Sequence, residues 1–194
     1  DITLVAISKL HPAAAILEAY VLGVRHFGEN YVQEFESKAP AVSGLPGAKF
    51  HFVGHLQSNK AKRAAELFQV VETIDSAKTA HRISDVGNVL EVMLEVKLSP
   101  ETAKSGVEPA DLPALIEAVR GCPNLRLTGL MTMPPWADEP EESRPYFQKL
   151  RALVEEHGLP CLSMGMSQDF EVAIEEGATH LRVGTALFGA RKRE

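Results

Sequence analysis

Two cysteines and one tryptophan are all that 194 residues supply of those types, and aromatic residues make up 6% of the chain. A disulfide framework needs more thiols than this, so Cys122 and Cys161, each beside a proline in an apolar or turn context, read as buried free thiols. No apolar run approaches the roughly 18 residues that span a bilayer, which argues against a membrane protein. Positive charge is also short. Lysine and arginine number 20 against 26 acidic residues, a formal net charge of -6 that speaks against nucleic acid or an acidic membrane as partner. The basic cluster Arg191-Lys192-Arg193 reads as a solvated tail. The seven histidines fall at no metal-ligand spacing, and neither a Walker-type glycine loop nor a GxGxxG motif occurs. Free thiols and no visible signal peptide make a reducing cytoplasm the expected compartment. The chain opens directly on an apolar run, as though a segment stood upstream.

What the chain does contain is alternation. Short apolar runs over 2–8, 24–27, 49–53, 70–73, 89–98, 125–130, 159–164 and 179–183 read as strands. Between them lie helical patterns over 13–22, 30–37, 58–67, from 76 onward, over 109–119, 141–157 and 170–176, with a short one over 185–188. Asn30, Ser58 and Ser76 are candidate helix caps, and 40–47 reads as a loop. Eight strand–helix units with no linker or repeat predict an α/β fold, a (β/α)8 TIM-type barrel forming one domain over 1–194. A doubly wound open sheet is the alternative.

In such barrels ligands bind at the C-terminal ends of the strands. Lys9 closes the first strand, so its amine belongs at that mouth, either to hold an anion or to form a Schiff base with a carbonyl. The runs Ser163-Met164-Gly165-Met166-Ser167 and Arg182-Val183-Gly184-Thr185-Ala186 follow strands seven and eight, where barrels often hold a phosphate. Glycine lets a backbone approach an anion, Ser167 and Thr185 offer hydroxyls at helical turns, and Arg182 adds a permanent cation. Each loop alone reads as an ordinary cap or turn; two on consecutive strands favour a phosphate site. A closed barrel sets the eighth strand beside the first, so the amine and the phosphate site share one mouth. Asn30 and Asn59 could bond a ligand or cap helices. Met131 and Met133 read as apolar wall, His55 as pocket lining or loop support, and Lys104 as a solvated loop lysine.

Six segments, in order along nearly the whole chain, carry a family resemblance. They are Leu4-Val5-Ala6-Ile7-Ser8-Lys9, Phe27-Gly28-Glu29-Asn30-Tyr31-Val32-Gln33-Glu34, residues 51–60 from His51 to Lys60, Gly129-Leu130-Met131-Thr132-Met133, residues 163–167, and residues 182–189. Together they resemble the pyridoxal-phosphate homeostasis protein family. The resemblance implies a barrel like the N-terminal domain of alanine racemase and pyridoxal 5'-phosphate (PLP) as cofactor. It implies that Lys9 forms the internal aldimine and that Ser167, Gly184 and Thr185 bind the phosphate. Arg182 would lie near the phosphate or the pyridine ring, Asn30 and Asn59 around the cofactor, with Met131, Ser163 and Gly165 completing the site. Where the family often carries a basic residue two positions after the lysine, this chain has His11. The stretch Asp85-Val86-Gly87-Asn88 is short for the family, and its usual N-terminal helix is not seen.

The function so implied is intracellular PLP homeostasis. The protein would hold PLP as an exchangeable aldimine, buffer it and deliver it to PLP-dependent apo-enzymes, without robust catalysis of its own, as a monomer or weak dimer. The alternative is a PLP-dependent amino-acid racemase or decarboxylase on the same barrel. Those relatives add a β-rich domain carrying an acid/base group, and none is expected within these 194 residues. A third reading is a barrel for phosphate metabolites in which Lys9 only pairs an anion.

Overall fold

A computed structural model describes residues 1–100 and 105–189; Lys104 and the basic cluster at 191–193 lie outside them. Eight parallel strands close on themselves in sequence order: β1 (Thr3–Ile7), β2 (His26–Glu29), β3 (Lys49–Phe52), β4 (Val70–Ile74), β5 (Leu90–Glu95), β6 (Leu125–Met131), β7 (Cys161–Ser163) and β8 (His180–Val183). The predicted (β/α)8 barrel is therefore the observed one, and the open sheet is excluded. Closure is made by β1 against β8, with Val5 opposite Arg182 and Ala6 opposite Val183.

The helices are α1 (Ala13–Val21), α2 (Val32–Val42), α3 (Ala61–Leu67), α4 (Ala77–Ser84), α5 (Leu112–Arg120), α6 (Arg144–His157), α7 (Phe170–Glu175) and α8 (Thr185–Phe188). Local chemistry sets several ends. Ser76 caps α4 by accepting the Thr79 N–H, and Gly158 stops α6 in the left-handed conformation at φ 62°. Asn30 and Ser58 do not cap: α2 begins after Tyr31 and α3 after Lys60, neither with a side-chain cap. Helix α2 also runs on through Pro40, where a loop is expected from sequence. Pro40 sits exposed in the final turn, while Ala39 and Val42 beside it are buried, so their packing outweighs the lost N–H.

The main core lies between sheet and helices. Phe27 stacks on Phe50 with ring centroids 5.7 Å apart, and Phe35 meets Phe68 at 4.7 Å. A second, small apolar cluster of Val5, Ile7 and Val53 stands apart from it. Cys122 is buried as expected, but Cys161, the first residue of β7, is only half-buried; both are free thiols. Among the described residues no helix is long and apolar enough to cross a membrane.

One close approach ties the scaffold to the mouth. A Cβ on Gly54 would lie 2.1 Å from the Asn30 carbonyl oxygen and 2.8 Å from its Cα. These are backbone atoms of a neighbouring loop and cannot swing aside. Gly54→Ala is expected to destabilise the protein by about 1–3 kcal/mol, measured by urea unfolding, with the loss arising from overpacking.

Candidate functional site

A cavity of about 350 Å³ opens at the C-terminal ends of the strands, within the usual size range for small-molecule sites. Six predicted site residues line it together: Lys9, Asn30, Ser167, Arg182, Gly184 and Thr185. Ile7 and Val53 give it an apolar wall, and the exposed Trp136, the only tryptophan, stands at its rim with Met133. The amine of the first strand and the loops after the last two thus share one mouth, because β1 closes on β8.

Four predicted residues are not among the lining. Met131 is fully buried in β6 and Ser163 fully buried in β7. Gly165 takes φ +93°, and a Cβ there would come within 2.5 Å of the Ala173 Cβ, so glycine is required for α7 to pack on the barrel. Asn59 is exposed in the turn before α3. His55 is exposed as well and borders a neighbouring hollow together with Asn30.

Ser167 does not cap α7, whose N-cap is Asp169. Its Oγ instead accepts the Ala186 N–H at 3.2 Å, stitching the turn after β7 to the first turn of α8. Asp169 holds the same turn from below, accepting the Met166 N–H at 2.7 Å. Gly184 faces Ile7: a Cβ would sit 3.3 Å from both the Ile7 Cβ and its carbonyl oxygen. The bare backbone there lets β8 lead straight into α8 beside Lys9.

Beneath the lysine lies a cluster of buried charge that sequence reasoning misses. Lys38 reaches in from α2 to the Glu29 carboxylate at 2.8 Å, and Ser8 Oγ donates to the same oxygen at 2.8 Å. Glu29 is fully buried, and its second oxygen has no partner. Burial pushes its carboxyl above the usual range, against the pull of Lys38. A second cluster fills the barrel floor. His51 Nδ1 meets Glu72 Oε1 at 2.6 Å, Ser163 Oγ donates to Glu72 Oε2 at 2.5 Å, and Arg182 donates to Ser163 Oγ at 2.7 Å and the Thr132 carbonyl at 2.8 Å. Burial opposes the Glu72 charge, but the His51 hydrogen bond and charge, with Arg182 and Ser163, bring its carboxyl down to about 2. Arg182 is therefore held from below by Ser163 and Thr132 while it borders the cavity above. The signal for both clusters is present in the sequence. Glu29 and Glu72 are acids inside short apolar strands, where a charge survives only with partners.

The arrangement suits a small anionic ligand that reacts with an amine. It offers a lysine on one side, serine and threonine hydroxyls with a glycine backbone on the other, and an arginine at the base. Asn30 Oδ1 is buried with no partner, an acceptor that a ligand's donor could satisfy.

Residues 3–192 match the family model described as alanine racemase, N-terminal domain. The chain is 50% identical over 194 residues to a pyridoxal phosphate homeostasis protein of Pseudomonas aeruginosa, covering 97% of this chain and 84% of that one. PipY of Synechococcus elongatus, solved without PLP, superposes with a TM-score of 0.92 at 41% identity, over 97% of this chain and 93% of PipY. The PipY structure with PLP bound gives 0.89 at 41%, over 97% and 92%.

The floor cluster makes stability pH-dependent. Burial, then the neighbouring His51, lowers His26 from 6.5 to about 4. Between those values the unfolded chain takes up a proton that the folded chain refuses, so stability falls as pH drops through that window. Glu72 acts in the same direction from 4.5 down toward about 2, while Glu29 and Glu95, both raised by burial, offset part of the loss. Thermal midpoints should fall from pH 6.5 to 4, and His26→Gln should flatten that limb. An equally steep limb in the variant would rule out His26 as its source.

Proposed function

The chain belongs to the alanine racemase N-terminal-domain family and, within it, to the pyridoxal phosphate homeostasis proteins, and on that footing we propose that its mouth cavity binds PLP through Lys9. The carrying observation is that one cavity gathers Lys9 with Ser167, Gly184 and Thr185. The residues fit the ligand. A phosphate asks for N–H and hydroxyl donors, which the turns around Ser167 and Thr185 offer, and an aldehyde asks for a primary amine. The amine adds to the carbonyl carbon and water leaves, so the lysine is held as an aldimine that a competing amine can reverse.

On this reading Lys9 anchors the ring, the Ser167–Ala186 junction and Gly184 receive the phosphate, and Arg182 carries a fixed positive charge beneath. Asn30 Oδ1 accepts from the ligand. Asn59, Met131, Ser163 and Gly165 support the site from outside the lining. The whole of 1–194 acts as one PLP-binding unit, a monomer or weak dimer, in a reducing cytoplasm where Cys122 and Cys161 stay free.

The role is homeostasis rather than turnover: the protein buffers a reactive aldehyde and passes it to PLP-dependent apo-enzymes. Two observations support this over racemase or decarboxylase chemistry. The relative that matches at 50% identity bears the homeostasis name. Among the described residues two carboxylates border the cavity: Asp169, which accepts the Met166 N–H, and Glu139 on the exposed rim. Proton transfer on a substrate would need a positioned group with its capacity unspent.

Adding PLP should produce a violet absorbance band distinct from the free aldehyde, and borohydride followed by peptide mass mapping should place the reduced adduct on Lys9. Lys9→Ala should lose the band. An adduct on another lysine with the band intact would overturn the assignment. Amino-acid turnover at ordinary enzyme rates, about 1 to 10³ per second, would favour the catalytic alternative.

A further inference from the structure

The peptide on both sides of Lys9 is gripped by a single ion pair on α2. Lys38 Nζ donates to the Ser8 carbonyl at 3.0 Å, and Glu34 Oε1 accepts the Leu10 N–H at 2.6 Å. The two side chains meet each other at 2.6 Å, one helical turn apart. The third Lys38 bond runs to Glu29, so all three of its donors are spent on oxygens.

The turn between these grips is strained. Leu10 has φ 62°, the one non-glycine among the described residues in the left-handed region. A leucine stays there only where its surroundings over-determine the backbone, and Glu34 supplies that hold on the Leu10 amide. Neither Glu34 nor Lys38 lines the cavity. Lys38 is almost fully buried and Glu34 mostly so, which protects the pair from solvent screening.

We propose that Glu34 and Lys38 form a positioning clamp for Lys9, fixing the strained turn so that the amine enters the cavity at one angle. The proposal rests on the reading that Lys9 is the amine that takes PLP. The pair acts through Lys9 alone and touches no ligand. It accounts for why a long, rotamer-rich side chain can serve as a defined attachment point: the backbone beneath it is locked before the side chain moves. It also separates two neighbouring lysines by role. Lys38 has every donor engaged and serves as structure, while Lys9 borders the cavity.

The test compares Glu34→Ala, which removes both the acceptor and the charge, with Glu34→Gln, which keeps an acceptor for the Leu10 N–H. In the full chain, hydrogen exchange at the Leu10 amide should rise at least tenfold in Glu34→Ala and much less in Glu34→Gln. The violet band should form about 10- to 100-fold more slowly in Glu34→Ala, with a shifted pH midpoint, while exchange deep in α6 stays unchanged. A lesion of stability alone would leave the pH midpoint where it was. Unchanged Leu10 exchange, or an unchanged band rate and midpoint in Glu34→Ala, would overturn the clamp. If Lys9→Ala keeps the band, the attachment reading fails instead, and the Leu10 exchange still decides whether the clamp exists.

Discussion

Everything at the mouth depends on one strand pairing. β1 must find β8 across almost the full length of the chain, with Val5 opposite Arg182 and Ala6 opposite Val183. That ladder sets Lys9 beside Gly184 and Thr185, residues that sequence places about 175 positions away. Closure also removes both sheet edges, so all eight strands end at a single rim and their loops are forced to converge. The site follows from a topological constraint, and the glycines at 54 and 184 are where the constraint becomes steric. At Gly54 a methyl group would strike the backbone of the Asn30 loop, and at Gly184 it would press tightly on Ile7.

The barrel interior is built unlike the outer layer. Outside the sheet, phenylalanines and aliphatic residues pack helices onto strands. Inside, Glu72, His51, Ser163 and Arg182 form a bonded chain from the floor up to the cavity. Such buried charge contributes little net stability and tolerates no missing partner. What it does is fix each polar group by its neighbours at the base of the cavity. The Lys38, Glu29 and Ser8 cluster does the same on the lysine side. Cavity walls are thus held by two polar scaffolds that share no residue.

Much of this is legible in the sequence, and the divide falls along a physical line. Strand–helix alternation shows because each parallel strand is a short apolar run and each helix carries its own period. Lys9, Ser167, Gly184 and Thr185 can be picked out because strand ends are recognisable and barrels bind at those ends. Boundaries such as the run of α2 through Pro40 are less legible, since burial of Ala39 and Val42 decides them. The polar scaffolds lie further out of reach. Lys38 meets a carbonyl 30 residues away, and Ser163 meets Glu72 across 91; nothing local marks those pairings. Asn59, a short amide in a promising motif, is exposed and outside the cavity lining, a placement that the motif alone does not reveal.

The order of the strands has a consequence for synthesis. A ribosome releases Lys9 more than 150 residues before the Ser167 to Thr185 loops, so over that stretch of translation the nascent chain carries the amine without its counterpart. Until β8 emerges, β1 is an open edge. β8 is the last strand of the barrel to emerge, so its pairing with β1 closes the sheet and brings the Ser167 to Thr185 loops to Lys9 in one event.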